Sequence, residues 1–176
     1  MKLIDVKKLL DDNGYKYTQT IVPSRAEFYR KKGFSPSEDT GAFVLLSIPN
    51  PNHTKNIELI FSDDSNNPDF YDLEFGGFWY EMFGCRDEEL PEYLLEEMQR
   101  IVCGNSYIIF ATDAEKGGWF FDAIYYDLPD EEMNCMDSFH NTLSKIKSPK
   151  SLWRKLIGRT YIYEIFNWTS YEKIVK

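Results

Sequence analysis

A chain of 176 residues and 20.8 kDa is long enough to bury one sizeable core and short for two independent ones. Its 43% hydrophobic and 16% aromatic content excludes a disordered chain. A formal net charge of −9 opposes phosphate backbones and anionic lipid surfaces, so neither nucleic acid nor membrane is the expected partner, and a cationic protein is.

The first residues, MKLIDVKKLLDDNG, place Leu3, Val6, Leu9 and Leu10 at helical spacing, and Asn13-Gly14 supplies a left-handed stop. Charges thread through these apolar positions, whereas a signal peptide needs an unbroken apolar run. No segment approaches the ~20 apolar residues of a membrane span, and the expected location is the cytoplasm. Ser24 and Glu27 fit a capping box for a second short helix closing at Gly33, followed by a loop from Phe34 to Thr40.

Ala42 to Ile48 is an apolar strand broken by Pro49, Asn50, Pro51 and Asn52. Asn56 to Ser62 alternates, with Ile57, Leu59 and Phe61 on one face, and is its expected antiparallel neighbour. Tyr71, Leu73 and Phe75 share one face against Asp72 and Glu74. Gly76-Gly77 fits a two-residue hairpin turn or a bulge in one long strand, with the hairpin preferred, and Phe78 to Phe83 continues as strand.

Asp87 is placed to cap the next helix, Pro91 falls in its first turn, and Gly104 follows its last apolar residue. Leu90, Leu94, Met98, Ile101 and Val102 form its buried stripe. Tyr107 to Asp113 and Trp119 to Asp127 are strands joined by a hairpin loop, the second apolar on both faces except at Asp122 and so expected in the middle of the sheet. Asp130 caps a helix carrying Met133, Met136, Phe139 or His140, Leu143 and Ile146, which ends at Ser148-Pro149. A short helix through Trp153, Leu156 and Ile157 stops at Gly158, and Tyr161 to Trp168 is the last strand.

This order predicts a single α+β domain over residues 1–176: one mixed or antiparallel, aromatic-rich sheet of about five to seven strands with helices packed on it. Residues 1–33 form an N-terminal helical segment, 42–127 the sheet with an inserted helix over 87–103, and 130–176 the C-terminal helices and last strand. No internal repeat interrupts it.

Cys85, Cys103 and Cys135 are odd in number and lack C-x-x-C spacing, which favours buried reduced thiols over a zinc or redox site. The two histidines, His53 and His140, stand far apart, the first in a turn and the second on a helix beside the sheet, so no metal is expected. No glycine-rich loop signals a phosphate-bearing cofactor, and none is expected. Cys135 and His140, five apart, do not stack as an i, i+4 pair would. Carboxylate pairs such as Asp63 with Asp64, or Asp72 with Glu74, suit acid-base work on a sugar, but in an acidic chain they are read as solvated surface. Basic residues gather late, at Lys145, Lys147, Lys150, Arg154, Lys155 and Arg159, away from the aromatics that would stack nucleic-acid bases.

The feature left over is acidic. Glu88, Glu89, Glu92, Glu96 and Glu97 load the helix after Asp87 beyond what its dipole favours. They join Asp63 and Asp64 from the preceding loop, with Trp79 as an aromatic anchor, as the candidate partner interface.

The run from Ile57 to Phe83, with its apolar strand, acidic loop and Leu-Glu-Phe-Gly-Gly-Phe-Trp-Tyr-Glu block, resembles the small immunity proteins of bacterial polymorphic-toxin systems. The resemblance implies a cytoplasmic protein, not an enzyme, that binds and neutralises a cationic toxin such as a nuclease. The alternatives are a small hydrolase or glycan- or small-molecule-binding protein with its site on the aromatic sheet, and an adaptor or structural interaction module.

Overall fold

The structure, a computed structural model, describes residues 3–31, 41–52, 57–63, 71–80, 90–128, 134–148 and 159–176. These carry four helices and nine strands. The α+β class and the antiparallel pairing agree with expectation. The strands, however, divide between two sheets rather than forming one, five in the order β1-β2-β3-β4-β5 and four in the order β7-β6-β8-β9. The chain separates into two compact units, Met1–Met98 and Gln99–Lys176.

In the first unit, α1 (Leu3–Asp12) buries Val6 and Leu10. It ends in a Schellman turn: Gly14, at φ +71, donates its N–H to Asp11 O at 3.2 Å, and Tyr15 donates to Leu10 O at 3.0 Å. The chain then forms β1 (Thr18–Val22), which the residue pattern did not announce. Four of its five residues are β-branched, but the strand is exposed on both faces, so there is no apolar alternation to read. In α2 (Arg25–Lys31) the Glu27 N–H donates to Ser24 Oγ at 3.1 Å, which is the expected cap. Arg25 lies 4.2 Å over the ring of Phe43, and Phe28 meets the same ring edge-on with centroids 5.4 Å apart.

Next come β2 (Phe43–Ile48), β3 (Leu59–Asp63), β4 (Tyr71–Phe75) and β5 (Phe78–Tyr80), which form a meander. Ile57, Leu59 and Phe61 are buried on the expected face, as are Leu73 and Phe75. Gly76 (φ +57) and Gly77 (φ +97) form the hairpin, since β4 and β5 pair antiparallel with Phe75 opposite Phe78. Two successive positive φ values are the type I′ geometry that matches strand twist. Glu74 departs from expectation, for it is 5% exposed rather than solvated surface.

The helix α3 (Leu90–Val102) buries Leu90, Leu94, Met98 and Ile101. Gly104, at φ +82, closes it with a second Schellman turn, Gly104 N–H to Ile101 O and Asn105 N–H to Arg100 O, both 2.9 Å.

In the second unit, β6 (Ser106–Asp113) is central and β7 (Trp119–Tyr126) is an edge strand, pairing among the described residues only with β6, which corrects its expected place in the middle. The physical reason is that apolar residues on both faces report what covers the faces and say nothing of the edges. The helix α4 (Met136–Lys147) covers one of those faces. Its Phe139 and Ile146 pack with Ile109, Ala111, Tyr125, Tyr163 and Ile165. Ala111 sits opposite both Phe121 and Tyr163, so the small residue leaves room for the two rings beside it. The helix begins at Met136, later than the Asp130 cap expected; Asp130 itself, Met133 and the helix through Trp153 lie outside the described residues.

The sheet is completed by β8 (Tyr161–Phe166) and β9 (Tyr171–Val175). The final hairpin corrects the reading of Tyr161 to Trp168 as one terminal strand. Its turn is built on Asn167, whose Oδ1 accepts from the Thr169 N–H at 3.0 Å and the Ser170 N–H at 2.7 Å. Side-chain carbonyls of this kind substitute for a backbone turn.

Candidate partner interface

Helical geometry divides α3 into two stripes. Leu90, Leu94, Glu97, Met98 and Ile101 are buried, and Glu92, Glu96 and Gln99, with Cys103 just past the helix end, are exposed. The exposed set recurs at i, i+4, i+7 and i+11, one face of a helix. Glu92 and Glu96 therefore stand one turn apart on the outward side.

Glu97 does not join them. It is 1% exposed, a correction to its place in the candidate interface. The reason was available in the spacing: position 97 lies three residues after Leu94 and four before Ile101, inside the apolar stripe. Among the other candidates, Asp63 ends β3 and Trp79 lies in β5 opposite Glu74, but their side chains lie outside what is described. Asp64, Glu88 and Glu89 also lie outside the described residues. What the structure brings together of the candidate set is thus the pair Glu92 and Glu96.

The sheet of the second unit carries another arrangement that spacing alone did not reveal. On the face away from α4, Asp122 and Glu164 lie on either side of Phe110 in register, and Lys173 follows beyond Glu164. Tyr171 donates its hydroxyl hydrogen to Glu164. Strand pairing fixes the backbone positions of Asp122 and Glu164, and the Glu164 carboxylate is engaged by a phenol.

Among the described residues, no three His, Cys, Asp or Glu side chains gather as metal ligands, and no helix is long and apolar enough to cross a membrane. Cys103 is exposed and Cys135 half-buried, both as free thiols, which corrects the expectation that they are buried. Cys135 sits at the N-cap of α4, and its Sγ accepts the Tyr126 N–H at 2.8 Å. His140 projects outward from α4 instead of packing against the sheet. Of the late basic residues, Lys147 is engaged by Glu172 at 2.7 Å on the surface.

No family model, curated protein or solved structure matches this chain.

Asp113 illustrates how a carboxylate here serves the fold. Its Oδ1 accepts the Glu115 N–H at 2.9 Å and the Lys116 N–H at 3.1 Å, turning the chain from β6 into β7. These donors, Lys116 first, hold its carboxyl below the usual carboxylate range, and the nearby charges of Arg159 and Lys116 act in the same direction. It is a turn residue and not part of the acidic face.

Proposed function

We propose that the protein is a binding protein that neutralises a cationic partner, in the manner of an immunity protein acting on a toxin such as a nuclease. The observation that carries this reading is the exposed pair Glu92 and Glu96, one turn apart on the outward stripe of α3, in a chain of net charge −9. A nuclease presents a basic cleft to its substrate. An acidic face on a helix whose C-terminus is closed by a Schellman turn offers that cleft a competing field. Long-range attraction from the whole chain speeds encounter, and the two carboxylates supply local complementarity.

The test is association with the product of the adjacent gene. Reversing both charges, Glu92→Lys with Glu96→Lys, slows association at low salt and leaves the far-ultraviolet spectrum unchanged. Raising salt narrows the difference, because the Debye length falls from ~10 Å at 0.1 M to ~3 Å at 1 M. No complex at micromolar concentration, or a complex indifferent to charge reversal and to salt, overturns the proposal.

The row of Asp122, Phe110 and Glu164 favours a second reading, a glycan- or small-molecule-binding surface in which the two carboxylates grip hydroxyls across an aromatic ring. Under that reading Asp122→Asn abolishes ligand binding while the α3 reversals leave it intact.

A further inference from the structure

Edge strands offer unpaired N–H and C=O groups to any second strand, and proteins blunt them with charges, proline or bulges. Among the described residues the two sheets have four edge strands, β1, β5, β7 and β9, and three of them are blunted. The strand β5 is three residues long, and so short an edge offers little to pair with. The strand β9 carries Glu172 and Lys173. The strand β7 carries Asp122, and its ladder with β6 is broken by a register shift at Ala111 and Thr112. The fourth, β1, has no such device. Thr18-Gln19-Thr20-Ile21-Val22 contains no charge and no proline, and its register with β2 runs without interruption from Thr18 opposite Ser47 to Val22 opposite Phe43. Among the described residues β1 pairs with no other strand. Its Ile21 is 69% exposed, more than Phe120 on β7 or Val175 on β9.

We propose that β1 is a docking edge for a second copy of this chain, the two β1 strands pairing antiparallel about a twofold axis at Thr20. The sequence is self-complementary in that register. Thr18 falls opposite Val22 of the second copy, Gln19 opposite Ile21 and Thr20 opposite Thr20. One face of the new pair is then entirely β-branched, which suits cross-strand packing. On the other face each Ile21 is covered by the opposing Gln19 and lies diagonal to its twin, within reach for an aliphatic side chain.

The register holds whichever backbone groups of β1 point away from β2. If those of Thr18, Thr20 and Val22 face outward, the 20–20 pair exchanges hydrogen bonds; if those of Gln19 and Ile21 do, the two 19–21 pairs exchange them. Two copies that each carry −9 repel at long range, so contact is favoured where neither contributes a carboxylate, and β1 is such a segment. The charge set against it is the Lys7 ammonium, 3.4 Å from Gln19 Oε1. Pro23 follows Val22 and supplies no N–H, which confines the ladder to about five residues. An interface of that size makes the dimer weak and concentration-dependent. None of this depends on the acidic face of α3.

Sedimentation equilibrium of the full chain from about 10 μM to about 1 mM, a range that brackets weak association, tests the proposal. The expected result is a mass rising from 20.8 kDa toward twice that value. Ile21→Lys sets a charge on each side of the twofold and raises the dissociation constant by roughly tenfold or more. Its circular dichroism and melting temperature stay those of the parent, because the side chain is exposed. Under mild oxidation Thr20→Cys yields a peptide pair linked through position 20, which reports the register directly. A chain that remains monomeric throughout, a dimer unaffected by Ile21→Lys, or an edge that captures only a strand of a different protein overturns the second-copy assignment.

Discussion

Asn167 donates its Nδ2–H to Gly104 O at 2.8 Å and thereby fastens the β8–β9 turn to the C-terminus of α3, across sixty-three residues of sequence. The same amide accepts from the backbone and hydroxyl of both Thr169 and Ser170 with its oxygen. It is 4% exposed and Gly104 is buried, so water does not replace the bond to Gly104 when it is removed, whereas Thr169 and Ser170 are exposed. Asn167→Ala is expected to cost ~1–3 kcal/mol, the range for leaving buried polar groups unsatisfied. Gly104→Ala should destabilise independently, because φ +82 disfavours a side chain and its Cβ would lie 3.4 Å from Thr169 Oγ1. Urea denaturation of both variants measures this. A loss under about half a kcal/mol for Asn167→Ala, the level of an ordinary surface site, means that the bond is not holding the turn.

The buried stripe of α3 makes a second expectation. Leu94 is fully buried, and Leu94→Ala leaves a cavity expected to cost ~2–5 kcal/mol. Glu92→Ala, on the exposed stripe of the same helix, should fall within about half a kcal/mol of the parent. Comparable losses at the two positions would contradict the division of the helix into an inner and an outer face.

How much of this was legible in the residues depends on where the physical signal sits. Local devices were readable because each needs a specific residue: Gly14 and Gly104 at helix ends, Ser24 at a cap, Gly76-Gly77 in a hairpin. Apolar alternation also located Leu59 and Phe61 correctly. Strand order was not readable, since Asp122 and its apolar neighbours show how the faces of β7 are covered but not which strands flank it. The strands β1 and β9 escaped because neither has a clear inner face, and such strands are specified by pairing with a neighbour more than by pattern. At the candidate interface, net charge and composition pointed to α3, but composition counts a glutamate without asking which way it faces.

Asp113 gives a pH dependence whose sign follows from its environment. Hydrogen bonds from Lys116 and Glu115 lower its folded pKa below the ordinary 3.8, so the unfolded chain binds this proton more readily. The stabilisation is therefore complete above the unfolded value and is lost as pH falls from about 3.8 through the lower folded value. Asp113→Asn keeps an oxygen to accept the same N–H groups and removes the titration. Its stability should decline less steeply than the parent's over that acidic window, measured by denaturant midpoints at successive pH values. Parallel profiles would show that the carboxylate is equally proton-hungry in both states.

The three described glutamates of α3 provide the sharpest separation of folding from binding. Glu97 lies in the stripe of Leu94 and Ile101 at 1% exposure, whereas Glu96, its neighbour in sequence, is exposed. A lysine at 97 would have to bring an ammonium group into that buried position, and an uncompensated buried charge costs ~3–5 kcal/mol. Glu97→Lys should thus lower the denaturation midpoint sharply, and Glu97→Gln, which retains shape and an acceptor oxygen, should lower it much less. Glu92→Lys and Glu96→Lys should leave the midpoint nearly unchanged, because long side chains on an exposed stripe keep their charge in water. Binding to a cationic partner should show the reverse order once folding is controlled for: loss in the 92 and 96 variants, and near-parental association for Glu97→Gln. If Glu97→Gln instead weakens binding as much as the outward reversals while remaining fully folded, the partner reaches the buried stripe and the acidic outer face of α3 is not where it docks.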